Sequence, residues 1–259
     1  MDPKVQLLSF AKEIAVKAGN LTRDYFRKEY DIRSKIDESP VTTADLQAES
    51  LLRSLIEEAF PHHSIIGEEG GEKNSVNEVE KGPHFTWVLD PIDGTKSFIK
   101  GIPLYTTLVA VLQDGVPIVG VIYNPILEEL TSAALGFGTE YNGSPVRVSD
   151  CEELSKAWFQ VTDPTSLLSR HPRGGAELMT KVGHTRTWAD GHAYAMLARG
   201  EADIVIDPIM NLWDIACLQP IIREAGGTFT DIHGLPDLGT SAIATNGKFH
   251  DQVVAFFSS

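Results

Sequence analysis

Hydrophobic side chains recur every three or four positions at the start of the chain, which is the spacing of one helix face. A second stripe of the same kind lies within residues 45–60, where Asp45 is placed to cap the helix and Pro61 to stop it. The pattern therefore predicts two amphipathic helices. Their apolar positions are Leu7, Ala11, Ile14, Ala18, Leu21 and Tyr25 in the first and Ala48, Leu51, Leu52, Leu55 and Ala59 in the second.

Continuous apolar runs replace these stripes in the next part of the chain and predict a sheet. Asp114-Gly115 separates two of the runs and is typical of a tight hairpin, and Asn142-Gly143 marks another turn. The polar stretch at residues 70–82 is expected to be a mobile surface loop. The predicted strands are residues 64–66, 85–89, 106–113, 116–123 and 128–134.

Strands and helices alternate in the C-terminal part, which favours a layered α/β architecture. Gly226-Gly227 is expected to end one of the helices. The predicted strands are residues 157–162, 202–206, 228–232 and 241–245, and the predicted helices are residues 192–199, 213–224 and 249–257.

Composition narrows the classes of function. The 259 residues are 42% hydrophobic and carry a formal net charge of -14, so a sizeable core is expected and binding to nucleic acid or an anionic membrane is not. The chain starts without an apolar signal core and has no run long enough to span a bilayer, so a cytoplasmic location is expected. The two cysteines, Cys151 and Cys217, do not make a disulfide framework.

The most informative segment is residues 87–95, where an apolar strand runs into Asp90-Pro91-Ile92-Asp93-Gly94-Thr95. Such a turn presents two carboxylates together with free backbone N–H groups. Hard divalent cations prefer carboxylate and carbonyl oxygens, and phosphate binds the N–H groups at a helix start. Taken alone, the segment is equally well explained as an ordinary turn followed by a helix cap.

Two further acidic sites change that balance. Gly67-Glu68-Glu69 ends the preceding predicted strand, and Trp213-Asp214 begins a predicted apolar helix, where Asp214 is also placed to cap. With these three signatures in this order, the sequence resembles the inositol monophosphatase family of metal-dependent phosphatases over nearly its whole length. The resemblance implies a layered α-β-α-β-α sandwich of the inositol monophosphatase and fructose-bisphosphatase type. It also implies a homodimer.

Site residues follow from the resemblance by position. Residues 1–145 would carry the metal and phosphate site, and residues 146–259 would supply Asp214 and the substrate rim. Gly94 and Thr95 match the backbone that binds phosphate. Thr95 and Glu68 match the pair that orients the attacking water, and Asp45 matches the acidic partner of that threonine, in addition to its reading as a helix cap. The implied ligands are Glu68, Asp90 and the carbonyl of Ile92 for one Mg²⁺ and Asp90, Asp93 and Asp214 for a second, with a weaker third ion against Glu68.

Bound cations would also answer a physical problem, because converging carboxylates in an acidic protein repel one another and repel a phosphate ester. Paired metal ions are known to activate water and to stabilise the leaving oxygen of such an ester. No cysteine or serine nucleophile motif competes for this role.

Details of the sequence resemble the bacterial histidinol-phosphatase branch of the family. These are Lys96-Ser97 after the metal turn, the stretch at residues 190–196 and the stretch at residues 212–216. Asp190 and Asp207 match positions that face the substrate, with Asp93 beside them. Two carboxylates suit a cationic group, such as the amine and imidazole of histidinol phosphate, better than a neutral polyol.

The sequence leaves alternative interpretations open for several residues and for the function. Asp190 is also placed to cap a helix, and Asp207 ends a strand before Pro208. His192 is interpreted as a packing or surface residue, and Asn246 as a turn residue or a contact across a dimer. The alternative substrate is inositol-1-phosphate or a related small metabolite, and the alternative from another class is a non-catalytic, metal-bound scaffold.

Overall fold

The computed structural model describes residues 2–28, 31–34, 40–74, 82–188, 190–236 and 238–258. Its helices are α1 (Pro3–Arg23), α2 (Thr43–Ala59), α3 (Thr95–Ile99), α4 (Pro164–Arg170), α5 (Pro172–Lys181), α6 (Gly191–Ala198), α7 (Leu212–Ile215), α8 (Leu218–Glu224) and α9 (His250–Ala255). A 3₁₀ turn spans Leu154–Lys156. Its strands are β1 (Ile32–Ser34), β2 (Pro40–Thr42), β3 (Ser64–Gly67), β4 (Gly71–Lys73), β5 (Phe85–Asp93), β6 (Thr106–Gln113), β7 (Val116–Asn124), β8 (Glu129–Ala134), β9 (Thr139–Tyr141), β10 (Ser144–Val146), β11 (Trp158–Val161), β12 (His184–Arg186), β13 (Ile204–Asp207), β14 (Thr228–Thr230) and β15 (Ala242–Thr245).

The larger sheet has eight strands in the order β10-β9-β8-β7-β6-β5-β3-β4. Its strands pair antiparallel except for β3 and β5, which are parallel. The predicted hairpin between β6 and β7 is confirmed, and Asp114 and Gly115 both have positive φ, at 51° and 82°. Asn142 and Gly143 make the same kind of turn between β9 and β10, with φ of 47° and 79°.

The expectation of a mobile loop over residues 70–82 is wrong for its first part. Gly71–Lys73 forms the exposed edge strand β4, which turns back antiparallel on β3 and pairs Gly71 with Gly67. Polar and charged side chains suit such an edge because they discourage pairing with another chain. The segment 75–81 lies outside the described residues.

A second sheet has five strands in the order β12-β11-β13-β15-β14, and β1 and β2 pair in a separate two-stranded sheet. Strands β11, β12 and β13 are parallel, whereas β15 is antiparallel to both of its neighbours. The helices α4 and α5 and the strand β12, which the hydrophobic pattern did not indicate, form the connection between β11 and α6.

Alternation along the strands produces the layers. In β5, Trp87 and Leu89 pack with α1 and α2, while Val88 packs on the other face with α6 and α8. In β13, Val205 joins that same central layer, and its neighbours Ile204 and Ile206 pack with α4, α5 and α9. The order from one surface to the other is thus helix, sheet, helix, sheet, helix, which confirms the predicted sandwich. None of the helices in the described ranges is long and apolar enough to cross a membrane.

The single helix predicted at residues 213–224 is instead two, α7 and α8, with a break at Ala216 and Cys217. The reason is Pro220, which has no backbone N–H to donate and is tolerated in the first turn of a helix but not in its interior. In the structure it lies in the first turn of α8. The break gives Asp214 a short helix of its own.

Candidate active site

The end of β5 delivers the first two carboxylates. Strand β5 pairs with β6 up to Asp90, and the register then shifts before Asp93, because Pro91 interrupts the ladder. The turn between them is held by its own groups: the N–H of Ile92 donates to Asp90 at 3.0 Å. Asp93 accepts from the hydroxyl of Thr106 at 3.0 Å and from the backbone N–H of Gly191. Asp90 is therefore held by its own turn, and Asp93 by β6 and α6.

A third carboxylate comes from α7, far along the chain. Asp214 occupies the third position of this helix and accepts from the N–H of Asn211 at 2.6 Å, so it also completes a capping box. Oxygen atoms of Asp90, Asp93 and Asp214 all lie within 4.8 Å of one another. The cap of α7 is Asn211, so the interpretation of Asp214 as the helix cap is wrong, whereas its predicted place in the acidic cluster agrees with its position.

Glu68 adds a fourth carboxylate beside this group. It follows β3, and its backbone N–H donates to the carbonyl of Leu89 at 3.2 Å, next to Asp90 in β5. Its side chain hydrogen-bonds to Asp90 and interacts electrostatically with Asp45 and Asp214. The four predicted carboxylates are thus neighbours, although Glu68 is outside the tight group of three.

Burial sets the electrostatics of the cluster. The pKa values of Asp90 and Asp93 are raised well above the ordinary range, first by burial and then by neighbouring carboxylates. The pKa of Asp214 is raised to about 6, again mainly by burial. Buried carboxylates that crowd together in this way favour a bound cation, and an all-oxygen donor set fits a hard divalent ion. The residues present therefore fit the metal centre that the sequence predicts.

The turn after Asp93 has the predicted form. Gly94 has φ of 86°, which a residue with a side chain rarely adopts, and Thr95 is the first residue of α3. The hydroxyl of Thr95 donates to the carbonyl of Ile92 at 3.1 Å. The first backbone N–H groups of α3 have no acceptor within the helix, as at every helix start.

Asp45 does not cap α2 as the first sequence reading has it. The cap is Thr42, and Asp45 lies three residues later, where its carboxylate accepts from the N–H of Thr42 at 2.9 Å and from the Thr42 hydroxyl. The other oxygen, Oδ1, is buried and has no hydrogen-bond partner among the described residues. Burial, with a smaller contribution from the charge of Glu68, raises the pKa of Asp45 to about 6, although its hydrogen bonds to Thr42 oppose the rise. Thr95 donates to Ile92 and not to Asp45, so a relay between Thr95 and Asp45 stays a prediction.

A cavity of about 400 Å³ opens in front of the acidic cluster and extends to Asp190 and Asp207. Asp207 ends β13, and its carboxylate accepts from the hydroxyl of Tyr194 at 2.9 Å and from the N–H of Thr162 at 3.2 Å. Burial raises the pKa of Asp207. Two partners from different elements thus hold this carboxylate at the cavity wall.

Asp190 precedes α6 but its side chain makes no capping hydrogen bond. Its carboxylate instead lies against Gly94, where an added Cβ would come within 2.5 Å of Asp190 Oδ2. Burial, with repulsion from Asp207 and Asp214, raises its pKa to about 7, and Lys96 opposes that rise. Its placement beside Gly94 in the cavity wall differs from that of a helix cap, and its role at a substrate rim stays a prediction.

The sequence left the roles of His192 and Asn246 open, and neither residue is among those that line the cavity. His192 is buried near Glu129, at 3.8 Å, and is not in the cavity wall. Asn246 is buried within its own chain, where its amide donates to Ser149 at 3.0 Å and to the carbonyl of Cys151 at 2.9 Å. Its contacts are those of a structural turn residue.

The sequence reasoning missed several residues of the cavity wall. These are Thr162, Asp163, Tyr194 and Ile209, together with Lys96, for which the sequence indicated no place in the cavity wall. The position of Asp163 could have been predicted, because Asp followed by Pro is typical of a helix cap and the first helical residue. Asp163 does cap α4. Tyr194 gave none, since its role depends on meeting Asp207 from another element.

Comparison with known proteins agrees with this geometry. Residues 4–257 match the model of the inositol monophosphatase family. A histidinol-phosphatase of Chlorobaculum parvum is 40% identical over 98% of this chain and 96% of that protein. The bifunctional phosphatase IMPL2 of Arabidopsis thaliana is 40% identical over 90% of this chain and 67% of its own length. A solved inositol monophosphatase of Zymomonas mobilis is 28% identical and superimposes with a TM-score of 0.86 over the full length of both chains. This chain belongs to the inositol monophosphatase family.

Proposed function

We propose that this member of a family of metal-dependent phosphatases hydrolyses L-histidinol phosphate to L-histidinol and phosphate with Mg²⁺. One observation carries the proposal: a single cavity joins Asp93 and Asp214 of the acidic cluster to a second pair of carboxylates, Asp190 and Asp207. The first group suits the phosphate end of the substrate through bound cations. The second suits a positively charged end.

At the phosphate end, Asp90, Asp93, Asp214, Glu68 and the carbonyl of Ile92 are the proposed ligands. Bound Mg²⁺ supplies positive charge for the phosphate oxygens and lowers the pKa of water. The chain's own residues do the positioning. The N–H groups of Gly94 and Thr95 face the phosphate.

Water attack needs a hydrogen-bond acceptor and a fixed direction. Glu68 and the hydroxyl of Thr95 are proposed to orient the water. Asp45 is proposed to take part in the proton relay, and its buried, unpartnered Oδ1 and raised pKa support a group that can accept a proton near neutral pH.

At the other end, charge selects the substrate. Besides the proposed metal ligands, the described residues that line the cavity include three acidic side chains, Asp163, Asp190 and Asp207, and one basic side chain, Lys96. A neutral polyol gains little from this field, whereas an amine or a protonated imidazole is attracted. Tyr194 and Thr162 keep Asp207 oriented for such a contact.

The relatives support the same substrate, because the Chlorobaculum protein carries the name histidinol-phosphatase at 40% identity over nearly full length. The second candidate is inositol-1-phosphate. It is favoured by the fold shared with the Zymomonas inositol monophosphatase.

Phosphate release from purified protein separates these candidates. L-histidinol phosphate, inositol-1-phosphate and phosphoadenosine phosphate are compared at equal concentration, each with Mg²⁺ and with EDTA. The proposal expects Mg²⁺-dependent release with the highest kcat/KM for L-histidinol phosphate. A higher kcat/KM for inositol-1-phosphate would favour the second candidate, and no release from any ester would favour the non-catalytic scaffold.

A further inference from the structure

Residues 67–71 form the tight turn that carries Glu68 between β3 and β4. The backbone N–H of Glu68 is held by the carbonyl of Leu89 in the neighbouring strand. The next two N–H groups, from Glu69 and Gly70, donate to the two carboxylate oxygens of Glu49, at 2.7 and 2.8 Å. Three successive N–H groups are thus fixed, and with them the direction in which the Glu68 side chain leaves the backbone.

Glu49 reaches this turn from α2, and its residue is only 2% exposed. Arg53, one helical turn later, donates to the same carboxylate at 2.7 Å and also to the carbonyl of Gly71. A buried carboxylate needs such partners to offset its lost hydration. The pair therefore holds both ends of the turn, the N–H groups through Glu49 and the far carbonyl through Arg53.

Glycines make this close approach possible. A Cβ on Gly67 would lie 2.3 Å from Glu49 Oε1, and a Cβ on Gly70 would lie 2.8 Å from both Glu49 Oε1 and the guanidinium of Arg53. A side chain at Gly67 would therefore push the Glu49 carboxylate off the turn. The two glycines on either side of the glutamate pair are explained by this packing.

We propose that Glu49 is a positioning residue for the metal centre, acting through the turn that presents Glu68 to Asp90. The inference rests on the proposed role of Glu68 as a metal ligand. Glu49 is not among the described residues that line the main cavity. Its influence is on the affinity of the site for cations and not on the chemistry directly.

The chain offers a matched control in Glu224, at the end of α8. Its carboxylate also accepts two backbone N–H groups of a turn, from Gly136 at 2.9 Å and Gly138 at 2.8 Å. That turn lies between β8 and β9, away from the acidic cluster and outside the cavity wall. Changing either glutamate to Gln replaces one acceptor oxygen by a donor that faces an N–H.

The experiment compares wild type, Glu49→Gln, Gly67→Ala and Glu224→Gln. Mn²⁺ binding is measured by calorimetry without substrate, and thermal unfolding is measured in EDTA. Outer hydrogen-bond partners of metal ligands change affinity or activity by about 10- to 100-fold when removed. We expect Glu49→Gln and Gly67→Ala to weaken Mn²⁺ binding by about tenfold or more, while Glu224→Gln binds as wild type does.

A structural role alone would lower the unfolding temperature of Glu49→Gln and Glu224→Gln alike and leave the Mn²⁺ affinity of both unchanged, which would overturn the inference. Gly67→Ala displaces Glu49 without altering it, so it gives the answer if Glu49→Gln fails to fold. Wild-type protein that binds no Mn²⁺ would overturn both this inference and the metal site. Wild-type protein that binds Mn²⁺ but leaves L-histidinol phosphate intact would refute only the substrate, and the comparison of affinities would still decide the role of Glu49.

Discussion

The substitution Asp214→Asn should stabilise the metal-free protein while it abolishes function. Asp214 shares with Asp90 and Asp93 a group of oxygens within 4.8 Å of one another. Two unit charges at that distance repel by about 3 kcal/mol at an effective dielectric constant of about 20. Removing one of the charges relieves this repulsion, and it also removes a proposed metal ligand.

The raised pKa of Asp214 gives a separate measure of the gain, because it is due first to burial and then to the charges of Glu68 and Asp207. Its folded pKa, about 6, is above the ordinary value of 3.8, so the ionised carboxylate disfavours the folded state at higher pH. A rise of that size corresponds to about 3 kcal/mol of stability that is present below pH 3.8 and lost as pH rises through 6. Asn keeps an acceptor for the N–H of Asn211 but loses the charge that strengthens that bond, which costs about 1 kcal/mol. The net gain expected at pH 8 is about 2 kcal/mol.

Thermal unfolding at pH 8 in EDTA and in Mg²⁺ is the assay. In EDTA, a gain of about 2 kcal/mol raises the unfolding temperature of a chain of this length by about 5 °C. In Mg²⁺ the order should reverse, because an ion present at about 100 times its Kd stabilises wild type by about 2.7 kcal/mol, whereas the variant lacks a proposed ligand of the second ion and gains less. The gap in EDTA should narrow as pH falls toward 5, where Asp214 of wild type takes up its proton.

Asp163→Asn is the matched control. Asp163 lines the same cavity but caps α4, where Asn serves equally well. Its unfolding temperature should follow wild type in both buffers. The reasoning is refuted if Asp214→Asn is less stable than wild type in EDTA, if Mg²⁺ stabilises both equally, or if the variant keeps near-normal turnover.

Three further predictions concern the rim and the packing of the fold. Asp190→Ala should raise KM for L-histidinol phosphate more than it lowers kcat, and unchanged steady-state kinetics would remove Asp190 from the site. Ile209 lines the cavity and is 57% exposed, so Ile209→Ser should lower kcat/KM for L-histidinol phosphate severalfold because the apolar contact with the imidazole is lost. The control is Leu235→Ser, since Leu235 is equally exposed at 57% but is not among the residues of the cavity wall. If both variants lower kcat/KM equally, Ile209 does not contact the substrate. His63 accepts a hydrogen bond from the indole of Trp87 at 3.0 Å, and burial lowers its pKa to about 4. Because this folded pKa is below the unfolded value of 6.5, the protein should lose stability as pH falls from 6.5 toward 4. Urea unfolding of His63→Gln should show a smaller loss of stability over the same pH range.

The layered α/β architecture could be predicted from the sequence because most of its strands and helices are indicated by local residue patterns. The stripe in α1, the apolar run of β5 and the Asp114-Gly115 turn each depend on neighbours a few residues away. At one place a hydrophobic pattern and a proline predict different helix boundaries, and the structure follows the proline. The apolar pattern continued across residues 213–224, but Pro220 lacks an N–H, so the helix restarts there.

The site was predictable where it is built from motifs and hidden where it depends on packing. Glu68, Asp90, Asp93 and Asp214 stand in recognisable segments, and the fold brings them together. Glu49 is different, because in the sequence it is one more polar position on an amphipathic helix. Its function as an acceptor for residues 69 and 70 depends on how α2 lies against β3, which no local pattern reports.

The central claim is that Asp90, Asp93 and Asp214 hold divalent cations beside the cavity. Crystals grown with Mn²⁺ and measured by anomalous diffraction test that claim directly. The account predicts anomalous peaks within about 2.5 Å of these carboxylate oxygens, as hard-cation ligands require. Peaks confined to surface carboxylates, with none between the three aspartates, would contradict it.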